Sequence, residues 1–259
     1  MQVVLTIAGS DSSGGAGIQA DLKTFEAFGV FGASAITVLT AQNTTGVRSI
    51  QEIPVSFIKE QIEAVFEDFD VAAVKVGMLY SKEIIEAVGN ILQGLQIPIV
   101  FDPVFISKVG SPLLQDDAVE AMKKLFKYAT VITPNMYESQ QLFGSRENEA
   151  KFKEAVFNTP CAVLVKHKIV VENGTKKSYD ELFENGEITR FESQMLESTN
   201  LHGTGCSYSS AIAANLALGN SLHEAIKIAK SFIYNAIKNA PNLGNGAGPV
   251  SHKEGGLCC

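Results

Sequence analysis

The chain has 259 residues, 46% hydrophobic and 19% charged, a composition that excludes an intrinsically disordered protein. Its 21 basic and 28 acidic residues give a formal charge of -7, which excludes nucleic-acid binding through broad phosphate neutralisation as the main activity. Because the sequence has neither a long apolar run nor a basic leader with an apolar core, we expect a cytoplasmic protein without a membrane span. The four cysteines are too few and too scattered for a disulfide framework.

Short β-branched segments alternate with amphipathic segments along most of the chain. The strand-like segments are continuously apolar, which is typical of a parallel sheet with helices on both faces. The predicted strands are residues 3–8, 33–40, 71–76, 97–101, 129–133 and 162–166. The predicted helices are residues 17–28, 206–218 and 221–239, with two more that begin at Pro54 and after Ser81. Residues 167–192 contain Asn-Gly turn signals and predict antiparallel strands at one edge, within a single domain of residues 1–259.

A glycine-rich loop at residues 9–17 lies between the first predicted strand and the first predicted helix. It has the glycine spacing of a P-loop but lacks the lysine and the hydroxyl that would bind phosphate and magnesium. Residues 15–20 match the dinucleotide fingerprint GxGxxA, yet the second strand ends without the acid that would bind a ribose. A tight turn that packs the helix is the alternative, and it accounts for only part of the glycine content. We expect the exposed amides of this loop to meet a ligand.

A second loop, residues 200–206, places Gly203 and Gly205 directly before a helix of small residues. Glycines let the main chain approach an oxygen closely, and unpaired amides at a helix start stabilise negative charge. Residues 203–206 therefore predict an anion hole. A cysteine at a helix start has a lowered pKa, so we expect Cys206 to be partly ionised near neutral pH and to accept a proton from an alcohol. The alternative is a buried thiol that only packs the helix.

These two loops belong to a longer series of matching segments. In order and spacing, the series resembles the ribokinase-like small-molecule kinases, and among them the hydroxymethylpyrimidine and phosphomethylpyrimidine kinases of thiamine biosynthesis. The matching segments are residues 6–11, 14–24, 41–44, 75–79, 102–104, 133–135, 203–206 and 246–250. Each fragment alone is a weak signal, whereas so many in order cover almost the whole chain.

The resemblance implies a three-layer α/β/α ribokinase-like fold with a mainly parallel central sheet and a small antiparallel addition. It implies transfer of a phosphoryl group from ATP to 4-amino-5-hydroxymethyl-2-methylpyrimidine, then a second transfer onto the monophosphate. It also implies a magnesium ion (Mg2+) and a homodimer, while charge and composition predict no nucleic-acid or membrane partner. Six residues would line the pyrimidine pocket: Gly9, Ala16, Asp21, Gln42, Met78 and Val104. An amide suits the edge of an aminopyrimidine, and apolar side chains suit its faces.

On the nucleotide side, residues 135–138 match the family pattern Asn-x-x-Glu. The resemblance implies that five residues bind ATP: Asp102, Asn135, Glu138, Lys166 and Thr204. It assigns magnesium to Asp102 and Glu138, directly or through bound waters. It implies that the transferred phosphoryl group is held at residues Gly203, Thr204, Gly205 and Cys206. Cys206 would be the base or the group that orients the alcohol. Taken singly, each charged residue is also explained as an ordinary turn, helix start or strand end.

Three features leave alternatives open. The family pattern Lys-Gly-Gly-His is replaced by residues 166–168, Lys-His-Lys, which predicts either an altered ATP affinity or a shorter loop. Pyridoxal kinase is the alternative activity, although Gln42 and Ser107 favour the pyrimidine; a binding protein without turnover is a further alternative. The tail at Cys258 and Cys259 is similar to lipidated tails but lacks a polybasic segment, which favours a solvated tail. The histidines at 202, 223 and 252 are too dispersed to predict a metal site.

Overall fold

The computed structural model describes residues 1–106, 110, 113–114, 118–172 and 174–256. Its strands are β1 (Val3–Asp11), β2 (Phe31–Asn43), β3 (Gly46–Glu52), β4 (Val71–Val76), β5 (Ile99–Phe101), β6 (Val131–Ile132), β7 (Ala162–Glu172), β8 (Thr175–Glu184) and β9 (Glu187–Gln194). Its helices are α1 (Gly17–Ala27), α2 (Val55–Asp68), α3 (Lys82–Leu92), α4 (Ala118–Lys123), α5 (Met136–Phe143), α6 (Glu149–Phe157), α7 (Thr204–Ala217), α8 (Leu222–Lys238) and α9 (His252–Gly256).

The described strands form one sheet in the order β3-β2-β1-β4-β5-β6-β7-β8-β9. The strands from β2 to β7 in this order are parallel. At the two edges, β3 is antiparallel to β2, and β8 and β9 continue the sheet antiparallel to β7. The predicted α/β class is confirmed, with a mainly parallel sheet; the antiparallel addition predicted at residues 167–192 is formed by β8 and β9, which end at Gln194.

The antiparallel strand β3 is absent from the predicted elements. It lies at the sheet edge and none of its residues is buried, so the sequence has no continuous apolar run there. The turn that precedes it has a local signal, because the Asn43 side chain accepts the amides of Thr45 and Gly46 at 2.9 and 3.2 Å. The hairpin of β2 and β3 brings Gln42 to the site described below.

Two central strands are shorter than predicted. β5 begins at Ile99, not at residue 97, because Pro98 has no amide to donate to a neighbouring strand. β6 spans only Val131–Ile132. Before it, the hydroxyl of Thr130 accepts the Ile99 amide at 3.1 Å in place of a main-chain carbonyl, and Pro134 follows soon after it. The short strands still place the residues that follow them at one edge of the sheet.

Apolar layers cover both faces of the sheet. Leu5, Ile7 and Val76 pack on one face, against α2 to α6. Val4 and Leu164 pack on the other face, against α1, α7 and α8. Alternate side chains of each strand point to opposite faces, so the continuously apolar strands are explained by helices on both sides. Within the described residues, no helix combines the length and the apolar character that a membrane crossing requires.

Candidate active site

A cavity of about 410 Å3 lies at the carboxyl ends of β1, β4, β5 and β6, between the two glycine loops. All but one of the predicted site residues line it. These are Gly9, Ala16, Gln42, Met78, Asp102, Val104, Asn135, Glu138, Lys166, Gly203, Thr204, Gly205 and Cys206. Parallel strands end at the same edge of a sheet, which is why residues far apart in sequence meet here.

Asp21 is the exception, because the structure does not place it at the cavity wall. Asp21 is fully buried and is not part of the cavity wall. Its carboxylate accepts hydrogen bonds from Thr6 and Ser210, each at 2.7 Å, and from the Lys75 ammonium at 2.8 and 2.9 Å. A buried carboxylate needs such partners, so Asp21 ties α1 to β1, β4 and α7.

Lys75 lines the cavity although the sequence reasoning assigned it no role. Burial alone would lower its pKa, but the adjacent Asp21 carboxylate raises the pKa of Lys75 above its ordinary value. Lys75 therefore carries a positive charge inside the cavity wall. The available signal is a lysine between Val74 and Val76 in an apolar central strand, since buried lysines are rare without a partner.

The Asp11 side chain shapes the first glycine loop. Its carboxylate accepts the amides of Ser13, Gly15 and Ala16 at 2.9, 3.1 and 2.8 Å. Burial alone would raise the pKa of Asp11, but hydrogen bonds from His202, Ser13 and Ala16 lower it to about 2. The loop is thus fixed around an ionised carboxylate, which sequence reasoning did not assign.

His202 is a second cavity residue that sequence reasoning missed. Its Nε2 lies 2.8 Å from Asp11 Oδ2, and the Gln42 amide nitrogen lies 3.4 Å from the same Nε2. The side chain is 6% exposed and faces the cavity. His202 directly precedes Gly203, and this position in the second loop was the available signal. Asp11, His202 and Gln42 therefore form one row of polar groups along the cavity.

The second loop forms the predicted anion-binding geometry. Gly203 has a φ of 80°, and a Cβ there would collide with the Gly15 carbonyl oxygen, so only glycine lets the two loops touch. The following residues, Thr204 to Cys206, form the first turn of α7 and line the cavity. The Thr204 amide donates to the Leu201 carbonyl at 3.3 Å. The Gly205 and Cys206 amides, like other first-turn amides, have no acceptor within their own helix and suit an anion. The Thr204 hydroxyl itself donates to the Leu201 carbonyl.

Cys206 does not have the predicted charge state. Burial raises the pKa of Cys206 to about 11, although the nearby Lys75 ammonium opposes that increase. In the site without ligands burial therefore favours the neutral thiol of Cys206 over the partly ionised thiol expected from the helix start. The helix start alone does not outweigh the loss of water around the sulfur.

Asp102 and Lys166 form a buried ion pair beside the anion-binding loop. Lys166 Nζ lies 2.8 Å from Asp102 Oδ1, and the Thr133 hydroxyl donates to the same oxygen at 2.9 Å. Burial alone would disfavour both charges, but each ion shifts the other, lowering the pKa of Asp102 and raising the pKa of Lys166. A Cβ at Gly205 would lie 3.6 Å from Lys166 Nζ, which places this ammonium next to the loop.

Glu138 occupies the start of α5 in a capping box. Its carboxylate accepts the Asn135 amide at 2.8 Å, while the Asn135 side chain accepts the Glu138 amide at 2.9 Å. Burial raises the pKa of Glu138 to about 7, with Asp102 adding to the increase and Lys166 opposing it. The side chain is thus both a helix cap and a buried carboxyl in the cavity.

A second cavity of about 280 Å3 adjoins the first and shares Leu201 and Thr204 with it. Its walls come from β7, β8, β9, the segment after β9, α7 and α8, and they include the Asp180 and Lys230 ion pair beside apolar side chains. The apolar side chains are Ile169, Met195, Leu196, Leu201, Ile233 and Ile237. The anion-binding loop therefore lies between two cavities.

Residues 166–168 form part of β7 and not a separate loop. The strand continues to Glu172 and pairs with β8, with an irregularity in register between Val165 and Lys168. Ile169 pairs with Ser178 in this hairpin, and both residues line the second cavity. Ser107, Cys258 and Cys259 lie outside the described residues.

Comparison with known proteins gives one consistent family. A family model described as phosphomethylpyrimidine kinase matches residues 11–251. The chain is 45% identical to the hydroxymethylpyrimidine/phosphomethylpyrimidine kinase of Haemophilus influenzae, over 96% of each chain.

Solved structures of this fold include enzymes for two ring types. A phosphomethylpyrimidine kinase from Clostridium difficile superposes with a TM-score of 0.77 and 40% identity, over 92% of this chain and 100% of that chain. A pyridoxal kinase from Staphylococcus aureus in complex with ADP gives a TM-score of 0.87 and 34% identity, over 98% and 94%. From the family match and the identity to named relatives, the chain belongs to the phosphomethylpyrimidine kinase family.

Proposed function

We propose that this phosphotransferase carries out both phosphorylations that its relatives' names describe, from hydroxymethylpyrimidine to the monophosphate and then to the diphosphate of thiamine biosynthesis. One observation supports the roles that we propose for the site residues. A single cavity joins an apolar pocket with an amide at its edge to the anion-binding start of α7. One bound substrate can therefore contact the ring pocket and the phosphate-binding start of α7 at the same time.

The pyrimidine end is formed by Gly9, Gln42, Met78 and Val104. A Cβ at Gly9 would lie 3.2 Å from the Met78 sulfur and 2.9 Å from Val38, so glycine lets these two side chains pack against the main chain at this end of the cavity. Met78 and Val104 supply apolar contact to the ring faces, and the Gln42 amide supplies a donor and an acceptor to the aminopyrimidine edge. A ring with a different edge pattern would leave the Gln42 amide unpaired.

The phosphoryl end is formed by residues 203–206. The substrate hydroxyl oxygen bonds to the γ-phosphorus of ATP, the bond from γ-phosphorus to the bridging oxygen breaks, and ADP leaves. Because burial favours the neutral thiol of Cys206, we assign Cys206 to orienting the substrate hydroxyl, whose proton passes to an oxygen of the transferred phosphoryl group. The first-turn amides of α7 stabilise the charge on the transferred group, and Lys166 supplies a cation beside it.

The second cavity suits the nucleoside part of ATP. It begins at Thr204, where the phosphates would lie, and its apolar walls suit a flat purine. Ile169 and Ile233 face this space from β7 and α8. Residues 167–168, which replace the family glycines, precede Ile169 in β7 and so lie on the proposed nucleotide side of the site.

Asp102 and Glu138 fit a magnesium ion that arrives with the nucleotide. The described residues contain no group of three side chains that could hold a metal alone. Two buried carboxyl groups at one edge of the sheet suit Mg2+, which keeps several waters and takes its other ligands from substrate phosphates. When bound, Mg2+ neutralises charge on the ATP phosphates. Asp102 stays paired with Lys166 and would act through the waters of the ion.

A cytoplasmic homodimer is part of the proposal, and it rests on the family resemblance. Sedimentation equilibrium at micromolar concentration is expected to give twice the mass of 27.8 kDa. A mass of one chain across the concentration range would contradict the homodimer.

The proposed activity is tested with magnesium-ATP and three separate substrates: hydroxymethylpyrimidine, its monophosphate and pyridoxal. Mass spectrometry is expected to find the monophosphate from the first substrate and the diphosphate from the second. The matched variants are Gln42→Ala in the pocket and Gln51→Ala on the exposed strand β3. Gln42→Ala is expected to raise the KM for hydroxymethylpyrimidine about tenfold, the loss of one buried hydrogen bond, and Gln51→Ala to leave it unchanged.

Pyridoxal kinase is the second candidate, favoured by the fold likeness to the Staphylococcus aureus enzyme. A product from pyridoxal alone would establish it in place of the pyrimidine activity. Binding of substrates without a product in any of the three reactions would overturn both kinase assignments and support a binding protein.

A further inference from the structure

The Gln42 amide in the ring pocket has two ends of nearly equal size, an oxygen that accepts and a nitrogen that donates. A half-turn about the last side-chain bond exchanges the two ends without changing the shape of the residue. An amide that turns freely would pair equally well with an aminopyrimidine and with a ring whose donor and acceptor stand in the reversed order. The selectivity of the ring pocket therefore depends on what holds the Gln42 amide.

The main chain of Gln42 is held by the first glycine loop. The Ser12 hydroxyl donates to the Gln42 carbonyl at 2.7 Å and accepts from the Gln42 main-chain amide at 2.9 Å. The side chain lies in the cavity between Thr40 and His202. One end of its amide is 3.2 Å from Thr40 Oγ1, and the other end is 3.4 Å from His202 Nε2. These two neighbours decide which end faces which way.

Asp11 determines that His202 Nε2 carries a hydrogen. Asp11 Oδ2 lies 2.8 Å from this nitrogen and also accepts the amides of Gly15 and Ala16, at 3.1 and 2.8 Å. An oxygen that accepts two amide hydrogens is an acceptor toward the imidazole as well, so Nε2 is the donor in either charge state of the ring. A ring nitrogen that carries a hydrogen has no lone pair for a second donor. The end of the Gln42 amide that faces Nε2 is therefore favoured to be the oxygen.

Thr40 favours the same order from the other side. Its hydroxyl lies 2.9 Å from the Ser10 carbonyl oxygen, which can only accept. A hydroxyl has a single hydrogen, and the shorter contact with the carbonyl uses it, so the Thr40 oxygen is an acceptor toward Gln42. With the amide nitrogen toward His202, two donors face each other at one end and two acceptors at the other. A half-turn of the amide replaces both with donor–acceptor contacts.

We propose that His202, held by Asp11, is a positioning residue that fixes the Gln42 amide with its oxygen toward His202 and its nitrogen toward Thr40, and so sets the ring specificity. The inference rests on the proposed function, in which Gln42 pairs with the edge of the ring. The fixed amide keeps one lone pair on its oxygen and one hydrogen on its nitrogen for a ligand. A ring edge in the matching order pairs with both groups, whereas the reversed order opposes donor to donor and acceptor to acceptor.

The test compares two rings that differ in the order of these groups. Hydroxymethylpyrimidine has an amino donor beside a ring-nitrogen acceptor, and its 4-oxo analogue has a carbonyl acceptor beside a ring N–H donor. Isothermal titration calorimetry of the full chain without ATP measures the Kd of each, and the ratio of the two values measures discrimination. In the wild type the amino ring is expected to bind about 100-fold more tightly, the scale of a two-point hydrogen-bond match. In His202→Phe the preference is expected to fall to about fivefold, because the amide then turns to suit either ring.

Two further variants separate positioning from packing. His202→Gln is the conservative variant, since its side-chain N–H can donate to Asp11 in place of Nε2, and it is expected to keep the preference within about threefold of the wild type. His223→Phe makes the aromatic substitution at a half-exposed histidine outside the cavity and is expected to leave the preference unchanged. A merely structural role of His202 would weaken the binding of both rings by the same factor and leave their ratio unchanged.

A wild-type preference retained in His202→Phe would overturn the proposal, as would a wild type that binds both rings equally. If His202→Phe does not fold, as judged by thermal melting, Thr40→Val is the second variant. It keeps the shape of the side chain and removes the other fixed contact of the Gln42 amide. The preference is expected to fall about threefold, the effect of one lost hydrogen bond. An unchanged preference in Thr40→Val would then overturn the proposal.

The same measurements distinguish failure of this inference from failure of the proposed function. A wild type that phosphorylates hydroxymethylpyrimidine but shows no preference between the two rings contradicts the role of His202 and leaves the kinase assignment standing. A wild type that binds neither ring and phosphorylates only pyridoxal overturns the pyrimidine activity, and the inference with it.

Discussion

Asp11 and His202 are 191 residues apart in the sequence, yet Asp11 Oδ2 and His202 Nε2 lie 2.8 Å apart at the cavity wall. Asp11 belongs to the first glycine loop and His202 to the second. The same carboxylate accepts the amides of Gly15 and Ala16. One side chain therefore fixes the shape of one loop and its contact with the other.

Asp11→Ala is expected to lower the free energy of unfolding by about 3 kcal/mol, because buried amides left without an acceptor cost roughly 1 to 3 kcal/mol each. Urea denaturation at pH 7 measures the loss. The exposed Asp70→Ala is the control, with an expected change within about 0.5 kcal/mol. The lowered pKa of Asp11 means that its contribution is present above pH 3.8 and is lost as the pH falls toward 2. A loss no larger than that of Asp70→Ala would contradict this account.

Gly203→Ala and Gly219→Ala form a matched pair at the two ends of α7. Both glycines have positive φ angles, 80° and 88°, so both substitutions add about 1 to 2 kcal/mol of backbone strain. A Cβ at Gly203 also meets the Gly15 carbonyl oxygen, whereas nothing lies within 4 Å of a Cβ at Gly219. Gly203→Ala is expected to lower kcat about 100-fold, the effect of displacing one preorganised amide. Steady-state kinetics that show equal kcat values for the two variants would contradict the role of this loop.

Ile169→Ala and Val171→Ala test the nucleotide side. The two side chains lie on the same face of β7 and are 54% and 64% exposed, but only Ile169 lines the second cavity. Truncating one apolar wall contact costs about 1 to 2 kcal/mol of binding, so Ile169→Ala is expected to raise the KM for ATP about tenfold. Val171→Ala is expected to leave it unchanged, and kcat is expected to stay constant in both. An unchanged KM in Ile169→Ala would place the nucleoside elsewhere.

Glu138→Gln tests the buried carboxyl at the start of α5. Burial raises the pKa of Glu138 from 4.5 to about 7, so the unfolded chain binds fewer protons than the folded one between these values. Wild-type stability is therefore fully present below pH 4.5 and declines as the pH rises to about 7. The difference in melting temperature between Glu138→Gln and wild type is expected to shift in favour of the variant from pH 5 to pH 8. A difference that stays constant with pH would mean that the carboxyl keeps an ordinary pKa.

The sequence by itself determined the alternation of strands and helices, because continuous apolar runs and amphipathic segments report burial directly. It also predicted which residues meet in the cavity, since the ordered motifs fall at strand ends that a parallel sheet gathers at one edge. The sequence did not predict the edge strand β3, because a strand that buries no residue has no apolar signature.

Only the tertiary structure decided the state and the surroundings of the charged groups. Asp21 was expected in the pocket, but Thr6, Lys75 and Ser210 converge on it from three other elements. Cys206 was expected to ionise at a helix start, but burial raises its pKa to about 11. Burial and through-space partners set the free energy of a charge, and both depend on how distant segments pack, which no local pattern encodes.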